Sequence, residues 1–333
     1  MKNADGSWEA FDDYVLDFAL ERMRLGERVA LVTLVKIEGS SPRPIGAQMA
    51  VSETGEWVGY LSGGCIERAV VAEAMDAIAE GKNRTIRYGR GSKYIDIQLP
   101  CGSAIELVFD VETKEADLAA IDARLEKRLP AVMKVPMPDD AGDEWTLRQY
   151  QPRRKLIVAG VGPATVQLAR MATIGGFDVT VWSYDQPTLQ RLASQMIKTV
   201  ALTGSKHPPR MDADARTAIV FMFHDHEWEL EMMPSALGTS AFYIGAMGSR
   251  ATHRLRVRQL AEMGISEVQI GRIHGPAGLF AGSKSAGDIA LSILAEIMQI
   301  AQAEIMQIAQ ADETSRGVVA EPSVGVPRRD TAA

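Results

Sequence analysis

Cysteine is scarce in this sequence: 333 residues hold two, Cys65 and Cys101, 36 positions apart. A single pair cannot form the dense disulfide framework of a small secreted domain, and without CxxC spacing there is no signature of a structural zinc site. Runs of Lys and Arg are missing too. With 36 basic residues against 43 acidic ones the net charge is −7, so the electrostatic footprint of a nucleic-acid binder is absent. No stretch of about 18 apolar residues exists to cross a bilayer. Residues 1–28 lack the basic start and apolar centre of a secretory signal. Aromatics make up 6% of the chain, but 46% of it is apolar and 24% charged. That balance is ordinary for a globular protein and excludes collagen, coiled coil and wholesale disorder. A soluble, cytoplasmic protein of about two domains is expected.

The first half predicts a small α+β domain over residues 1–130. Apolar residues at Trp8, Phe11, Val15, Phe18, Ala19 and Met23 follow a helical period from Ser7 to Leu25. Val29–Ile37, Gln48–Ser52, Trp57–Leu61, Arg84–Tyr88, Ile95–Leu99 and Ala104–Asp110 read as strands of a small mixed sheet, with a helix from Ile66 to about Glu80. Ala116–Arg128 reads as a second helix, and the Pro- and Gly-rich stretch 131–154 as a linker carrying one short strand near Trp145. Composition then changes at Lys155-Leu-Ile-Val-Ala-Gly160, an apolar strand entering a glycine turn. Strand and helix signals alternate from there, which predicts a parallel sheet with right-handed crossovers. The fold class expected is α/β: the N-terminal α+β domain followed by a Rossmann-like doubly wound sheet over 155–310. Residues 295–302, AEIMQIAQ, recur identically at 303–310. Eight residues turn a helix face by roughly 80°, so the second copy lengthens the terminal helix without continuing its apolar stripe. Residues 311–333 lack periodicity and read as a disordered tail.

Five segments have the composition of a binding site. Gly160-Val-Gly162-Pro-Ala-Thr165 joins a strand to a helix, where a tight turn and a helix N-terminus favour phosphate. Its third fingerprint position is Thr165, however, and Ser183 stands where a ribose-binding acid belongs, with Asp185 two residues on. In Ser62-Gly63-Gly64-Cys65-Ile-Glu67 a cysteine sits at a helix start, a setting that favours the thiolate; Cys101 lies beside Gly102 in a loop. Against this, a lone cysteine is most often a small buried apolar residue. Gly39-Ser-Ser-Pro-Arg43-Pro presents amides, hydroxyls and one guanidinium to an anion, or is simply a proline-stiffened turn. His224-Asp225-His226 follows a buried strand, at the end where doubly wound sheets bind ligands, although Asp225 or His226 also suits a helix cap. Gly245-Ala-Met-Gly248-Ser249-Arg250 repeats the strand, glycine turn and helix pattern, with Arg250 suited to phosphate. Ser285 reads as the cap of the last helix.

Taken in order, these blocks resemble the xanthine dehydrogenase accessory factor family, XdhC/CoxI. The resemblance runs from about Val29 to Ile297. It rests on Glu38-Gly-Ser-Ser-Pro-Arg-Pro44, Leu61-Ser-Gly-Gly-Cys-Ile-Glu67, Leu99-Pro-Cys-Gly102, Tyr243-Ile-Gly-Ala-Met-Gly-Ser-Arg250, Arg272-Ile-His-Gly-Pro-Ala-Gly-Leu279 and Asp288-Ile-Ala-Leu-Ser-Ile-Leu-Ala-Glu296. Ser183 and the duplicated octapeptide depart from the family pattern. The resemblance implies a maturation factor without turnover of its own. Such a factor binds the molybdenum cofactor (molybdopterin or its cytosine dinucleotide), supports its sulfuration with a cysteine desulfurase, and delivers it to an apo-molybdoenzyme of the xanthine dehydrogenase family. It implies cofactor contacts at Arg43, Gly63, Gly64, Cys65, Glu67, Cys101, Gly160, Gly162, His224, Asp225, Gly245, Gly248, Ser249 and Arg250, with Cys65 or Cys101 facing molybdenum. A homodimer paired through a sheet rim is also compatible with the sequence. Two competing readings are an NAD(P)-dependent oxidoreductase, which Ser183 disfavours, and a thiol enzyme built on Cys65.

Overall fold

The computed structural model describes residues 7–10, 14–92, 102–137, 145–204, 208–280, 282 and 284–316. The chain divides into two compact units, Met1–Pro152 and Arg153–Ala333.

In the first unit the elements are α1 (Val15–Arg24), β1 (Val29–Glu38), β2 (Gln48–Ser52), β3 (Trp57–Gly59), α2 (Glu67–Glu80), β4 (Arg84–Gly89), β5 (Ala104–Asp110), α3 (Glu115–Glu126), β6 (Ala131–Pro136) and β7 (Trp145–Tyr150). Five strands form one sheet in the order β3-β2-β1-β5-β4. It was expected to be mixed; every pairing is instead antiparallel, because β5 inserts between β1 and β4 and runs against both. β1 is buried on both faces. Ala30, Val32 and Leu34 pack towards Val70 and Ala74 of α2, while Val29 and Leu31 pack towards Phe18 of α1 and Leu118 of α3. This two-sided burial is why its sequence runs apolar without alternation.

Two expectations change here. The first helix starts at Val15, not Ser7: Trp8 instead folds back, its ring edge-on to Phe18 at 5.9 Å, and Ala10 accepts a hydrogen bond from the Gly59 amide. The expected linker over 131–154 contains the β6–β7 hairpin, which belongs to the first unit. Ala131, Met133, Val135 and Tyr150 are buried in its core, and the Tyr150 hydroxyl donates to Gln48 Oε1 at 2.6 Å. Apolar residues on alternate positions of β6 outweigh the surrounding Pro and Asp. The strand expected at Ile95–Leu99 lies outside the described residues.

The second unit comprises β8 (Lys155–Gly160), α4 (Gly162–Ile174), β9 (Asp178–Ser183), α5 (Gln186–Ala193), β10 (Lys198–Ala201), β11 (Thr217–Met222), α6 (His226–Leu237), β12 (Tyr243–Ala246), α7 (Arg250–Glu262), α8 (Glu267–Ile270), β13 (Ile273–His274) and α9 (Ala286–Arg316). All strand pairings are parallel, in the order β10-β9-β8-β11-β12-β13. By position within the unit that order is 3-2-1-4-5-6, the doubly wound dinucleotide-binding arrangement. Leu168 of α4, Leu192 of α5 and Ile293 of α9 pack in the core cluster of one face. Met232 and Met233 of α6 and Leu260 of α7 pack in the other. α9 runs through both copies of the octapeptide to Arg316, past the expected helix end at 310; its first copy buries Ile297 and Ala301. Residues 317–333 of the expected tail lie outside the described residues.

Candidate functional site

Three of the singled-out blocks leave the first unit from one end of its sheet. β1 ends at Glu38 opposite Ala104 where β5 begins, β2 begins at Gln48, and β3 ends at Gly59 opposite Met49. The segments 39–47, 60–66 and the residues entering β5 therefore share that rim. Two contacts tie them together. The Arg43 guanidinium lies 4.2 Å over the Tyr60 ring and donates to its hydroxyl at 3.0 Å. Gly39 packs so closely on Ser103 that an added Cβ would stand 3.2 Å from its side chain. Gly102 and Ser103 are described; Cys101 lies outside the described residues.

The loop bearing Cys65 is built around Glu67. One carboxylate oxygen accepts from the Leu61 and Ser62 amides at 3.0 and 2.8 Å. The other accepts from the Ser62 hydroxyl at 2.9 Å and from the Gly64 and Ile66 amides at 2.9 and 3.2 Å. The Ser62 oxygen in turn accepts from the Cys65 and Ile66 amides at 3.1 Å each. Gly63 and Gly64 hold φ of +81° and +109°, the left-handed backbone that bends the chain around the carboxylate. Burial works to raise the Glu67 pKa, but the backbone donors of Ser62 and Leu61 prevail and hold it below the usual carboxylate range. Glu67 thus anchors the loop, with the amides of Leu61, Ser62, Gly64 and Ile66 turned inward onto it. What the loop displays outward is Cys65, which is exposed. On the same rim Glu38 is held low first by its hydrogen bonds from Arg87, which also bonds Glu106.

In the second unit the remaining blocks all lie beyond the carboxyl ends of the parallel strands. Gly160 closes β8 against Met222 and Thr165: an added Cβ would stand 2.6 Å from Met222 Cβ and 2.8 Å from Thr165 Oγ1. The Gly162 amide, which in a dinucleotide site would meet pyrophosphate, donates to Thr188 Oγ1 at 2.9 Å. Thr188 is itself bonded by amide and hydroxyl to Asp185 Oδ2, the cap of α5. Ser183 is buried and accepts from the Asp185 amide at 3.1 Å. Asp225 caps α6 by accepting from the Glu227 amide at 2.9 Å, and His224 beside it is exposed. Ser249 caps α7 by accepting from the Thr252 amide, with Gly248 in the preceding turn and Arg250 exposed. Gly245 lies under the Tyr243 ring, 2.5 Å from where its Cβ would be. Among the described residues, no three His, Cys, Asp or Glu side chains gather as a metal site.

Sequence reasoning assigned no part in holding this edge together to Arg256, Tyr243 or Glu296. Arg256 forms a buried ion pair with Glu229, donates to the Met247 carbonyl at 2.9 Å and lies 3.2 Å from His253 Nδ1. A guanidinium only donates, so this contact makes Nδ1 an acceptor and places the imidazole proton on Nε2. Burial first, and the Arg256 charge second, keep His253 below its ordinary pKa. The Tyr243 hydroxyl donates to Glu296 at 2.5 Å, and the same oxygen accepts from the Gly278 amide. Burial and that carboxylate raise the phenol's pKa. These partners lie 27 and 53 residues apart; no local spacing announces them.

An antiparallel α+β unit joined in sequence to a Rossmann unit, with glycine-rich rims on both, defines a two-unit α/β protein. Two family models match it: the XdhC and CoxI family over residues 23–89 and the XdhC Rossmann domain over 156–297. The chain is 33% identical over 303 residues to the molybdenum cofactor insertion chaperone PaoD of Escherichia coli, covering 87% of this chain and 89% of that one. It is 25% identical to a probable xanthine dehydrogenase subunit of Bacillus subtilis, covering 86% of this chain and 96% of that one. A crystal structure described as a xanthine dehydrogenase from Bacillus halodurans shares the fold at a TM-score of 0.70 and 19% identity, over 86% of this chain and 96% of that one. The chain belongs to the XdhC and CoxI family.

Proposed function

We propose that this chain is a maturation factor that takes up the molybdenum cofactor as cargo and inserts it into an apo-molybdoenzyme of the xanthine dehydrogenase family. The observation that carries the reading is the rim of the first unit. There a glycine loop fastened to Glu67 displays the exposed Cys65, and a neighbouring segment on the same rim carries Arg43. A thiolate is a soft ligand suited to such a metal, and a guanidinium suits the phosphate that every form of the cofactor carries. The 33% identity to an insertion chaperone supports the same reading. Gly63 and Gly64 shape this rim; Gly160, Gly162, His224, Gly245, Gly248, Ser249 and Arg250 edge the second. A cysteine desulfurase as sulfur donor, and homodimer formation, complete the proposal.

The parallel strand order of the second unit is what favours the alternative, an NAD(P)-dependent oxidoreductase. Three observations weigh against it. Ser183 is buried, Asp185 is engaged as a helix cap, and the Gly162 amide is bonded to Thr188.

The test is to express the chain with an intact molybdopterin pathway, purify it anaerobically, and assay molybdenum by mass spectrometry and pterin by fluorescence after oxidative release. Near-stoichiometric pterin is expected, with a clear loss in Cys65→Ala at unchanged melting temperature, since Cys65 supports no core contact. No pterin, with saturable NAD(P)H binding, would overturn the reading. Unchanged pterin content and molybdoenzyme activation in Cys65→Ala would remove Cys65 from it.

A further inference from the structure

At the carboxyl end of the second unit's sheet, three aromatic rings lie close together with nearly parallel planes. Tyr184 follows β9 directly, Phe223 follows β11, and Trp228 sits in the first turns of α6. The Tyr184 centroid is 5.9 Å from Phe223 at an interplanar angle of 6°, and 5.1 Å from Trp228 at 20°. Phe223 is buried and joins the core with Trp228, whereas Tyr184 remains 37% exposed.

Its place is the topological switch point, where consecutive strands leave β8 in opposite directions, to β9 on one side and β11 on the other. Ligands of doubly wound sheets bind in the crevice this reversal opens. The ring is also held ready. Asp185, the next residue, caps α5 through Thr188, and Thr188 holds the Gly162 amide of the glycine turn. Immobilising a stacking side chain beforehand removes ordering cost from binding. What usually reads a nucleotide's sugar at this place is absent among the described residues, since Ser183 is buried and the cap occupies Asp185. The partly exposed Tyr184 ring on a fixed backbone remains, and an aromatic ring stacks on ring planes whatever sugar or phosphate follows.

We propose that Tyr184 is a stacking platform for the planar heteroaromatic ring of the ligand, either a pterin or a nucleobase. The inference deepens the cofactor-carrier reading and rests on it for the ligand's chemistry.

The experiment titrates the full chain and its Tyr184→Ala and Tyr184→Phe variants with an oxidised pterin, with cytidine diphosphate and with AMP. Affinities come from calorimetry and from quenching of tryptophan fluorescence. Tyr184→Ala is expected to weaken at least one probe by about 5- to 150-fold, the worth of one base–aromatic stack, while Tyr184→Phe keeps the affinity. Loss confined to the pterin assigns the platform to that ring, and loss confined to cytidine diphosphate or AMP assigns it to a base. Equal affinities for wild type and Tyr184→Ala, equal weakening in both variants, or no binding of any probe to wild type at millimolar concentration would each overturn the proposal. Cofactor content of the purified proteins separates the two readings. Pterin retained equally by wild type and Tyr184→Ala, together with equal affinity of both for every probe, sinks the platform and leaves the carrier standing. Wild type without pterin, yet losing nucleotide affinity in Tyr184→Ala, does the reverse.

Discussion

Replacing Glu67 with Gln tests whether the cysteine-bearing loop is organised by a buried carboxylate. In the native loop two oxygens accept five hydrogen bonds, four of them from the backbone amides of Leu61, Ser62, Gly64 and Ile66. Gln is isosteric, and its carbonyl can keep the Leu61 and Ser62 amides. Its NH2 group then faces the Gly64 and Ile66 amides, donor against donor. The Ser62 hydroxyl can rotate, Gly64 is exposed to water, and the buried Ile66 amide keeps the Ser62 oxygen at 3.1 Å, so what is lost is chiefly the charged acceptor. A hydrogen bond to a charged acceptor is worth about 1.5–3 kcal/mol, and two of them, from the Gly64 and Ile66 amides, are lost. The first unit should therefore lose about 2–4 kcal/mol, read by urea unfolding. Hydrogen exchange of the Gly64 and Ile66 amides should accelerate before global unfolding. The sign with pH follows from the lowered pKa. Native Glu67 contributes its full stabilisation above the ordinary value of 4.5 and loses it as pH falls through the lower folded value. The gap between wild type and Glu67→Gln should thus be full at pH 7 and close in acid, below that ordinary value. A change under about 0.5 kcal/mol with unaltered exchange, or a gap that widens in acid, would refute the argument.

Three further outcomes are expected. Gly160→Ala should lower the melting temperature of the second unit more than Gly162→Ala. The first drives a Cβ to within 2.6 Å of Met222, whereas the second meets open space and bears only the strain of φ +80°; the opposite ranking in thermal scans would contradict this. Arg256→Met should cost about 3–5 kcal/mol by removing the guanidinium paired with the buried Glu229 carboxylate, and Arg256→Met with Glu229→Leu should recover much of that loss. Chemical denaturation of the single and double variants decides it, and a double variant no more stable than the single one would count against the pair. Tyr243→Phe should cost about 1–2 kcal/mol, because the half-buried Glu296 oxygen keeps the Gly278 amide but loses the donor of the buried phenol; an unchanged denaturation midpoint would show that bond to be idle.

The Rossmann unit was largely legible because its signals are local. β8, β9, β11 and β12 each precede a helix, and there the change of period marks the crossover; β10 runs on to β11 with no helix among the described residues. Of the β6–β7 hairpin only the strand at Trp145 was legible; β6 was not. Its alternation at Ala131, Met133 and Val135 is only three residues deep, and the Pro and Asp around it dominate a compositional reading. Nor could the sequence show that Trp8 turns back onto Phe18, since its position fits the helical period of α1 equally well. The two-residue strand β13 is too short for any periodicity, and its pairing with β12 exists only once the sheet is assembled.

At the site itself, the sequence located the loops and mistook part of their chemistry. Glu67, Asp185, Asp225 and Ser249 are polar residues in glycine turns or strand-to-helix turns, which is how ligand contacts look in a sequence. In the fold each accepts from backbone amides of its own loop or helix start. The reason is energetic: a turn at the end of a sheet strands several donors, and a nearby carboxylate or hydroxyl is the readiest partner for them. Motif density at such a rim therefore measures first how much backbone needs a partner. The side chains that the turns do not consume are Cys65 on one unit and, on the other, His224, Tyr184 and Arg250 at the start of α7, all of them exposed. A rigid loop with an uncommitted side chain suits a protein that holds a cargo and lets it go, because binding then requires no ordering and release no refolding.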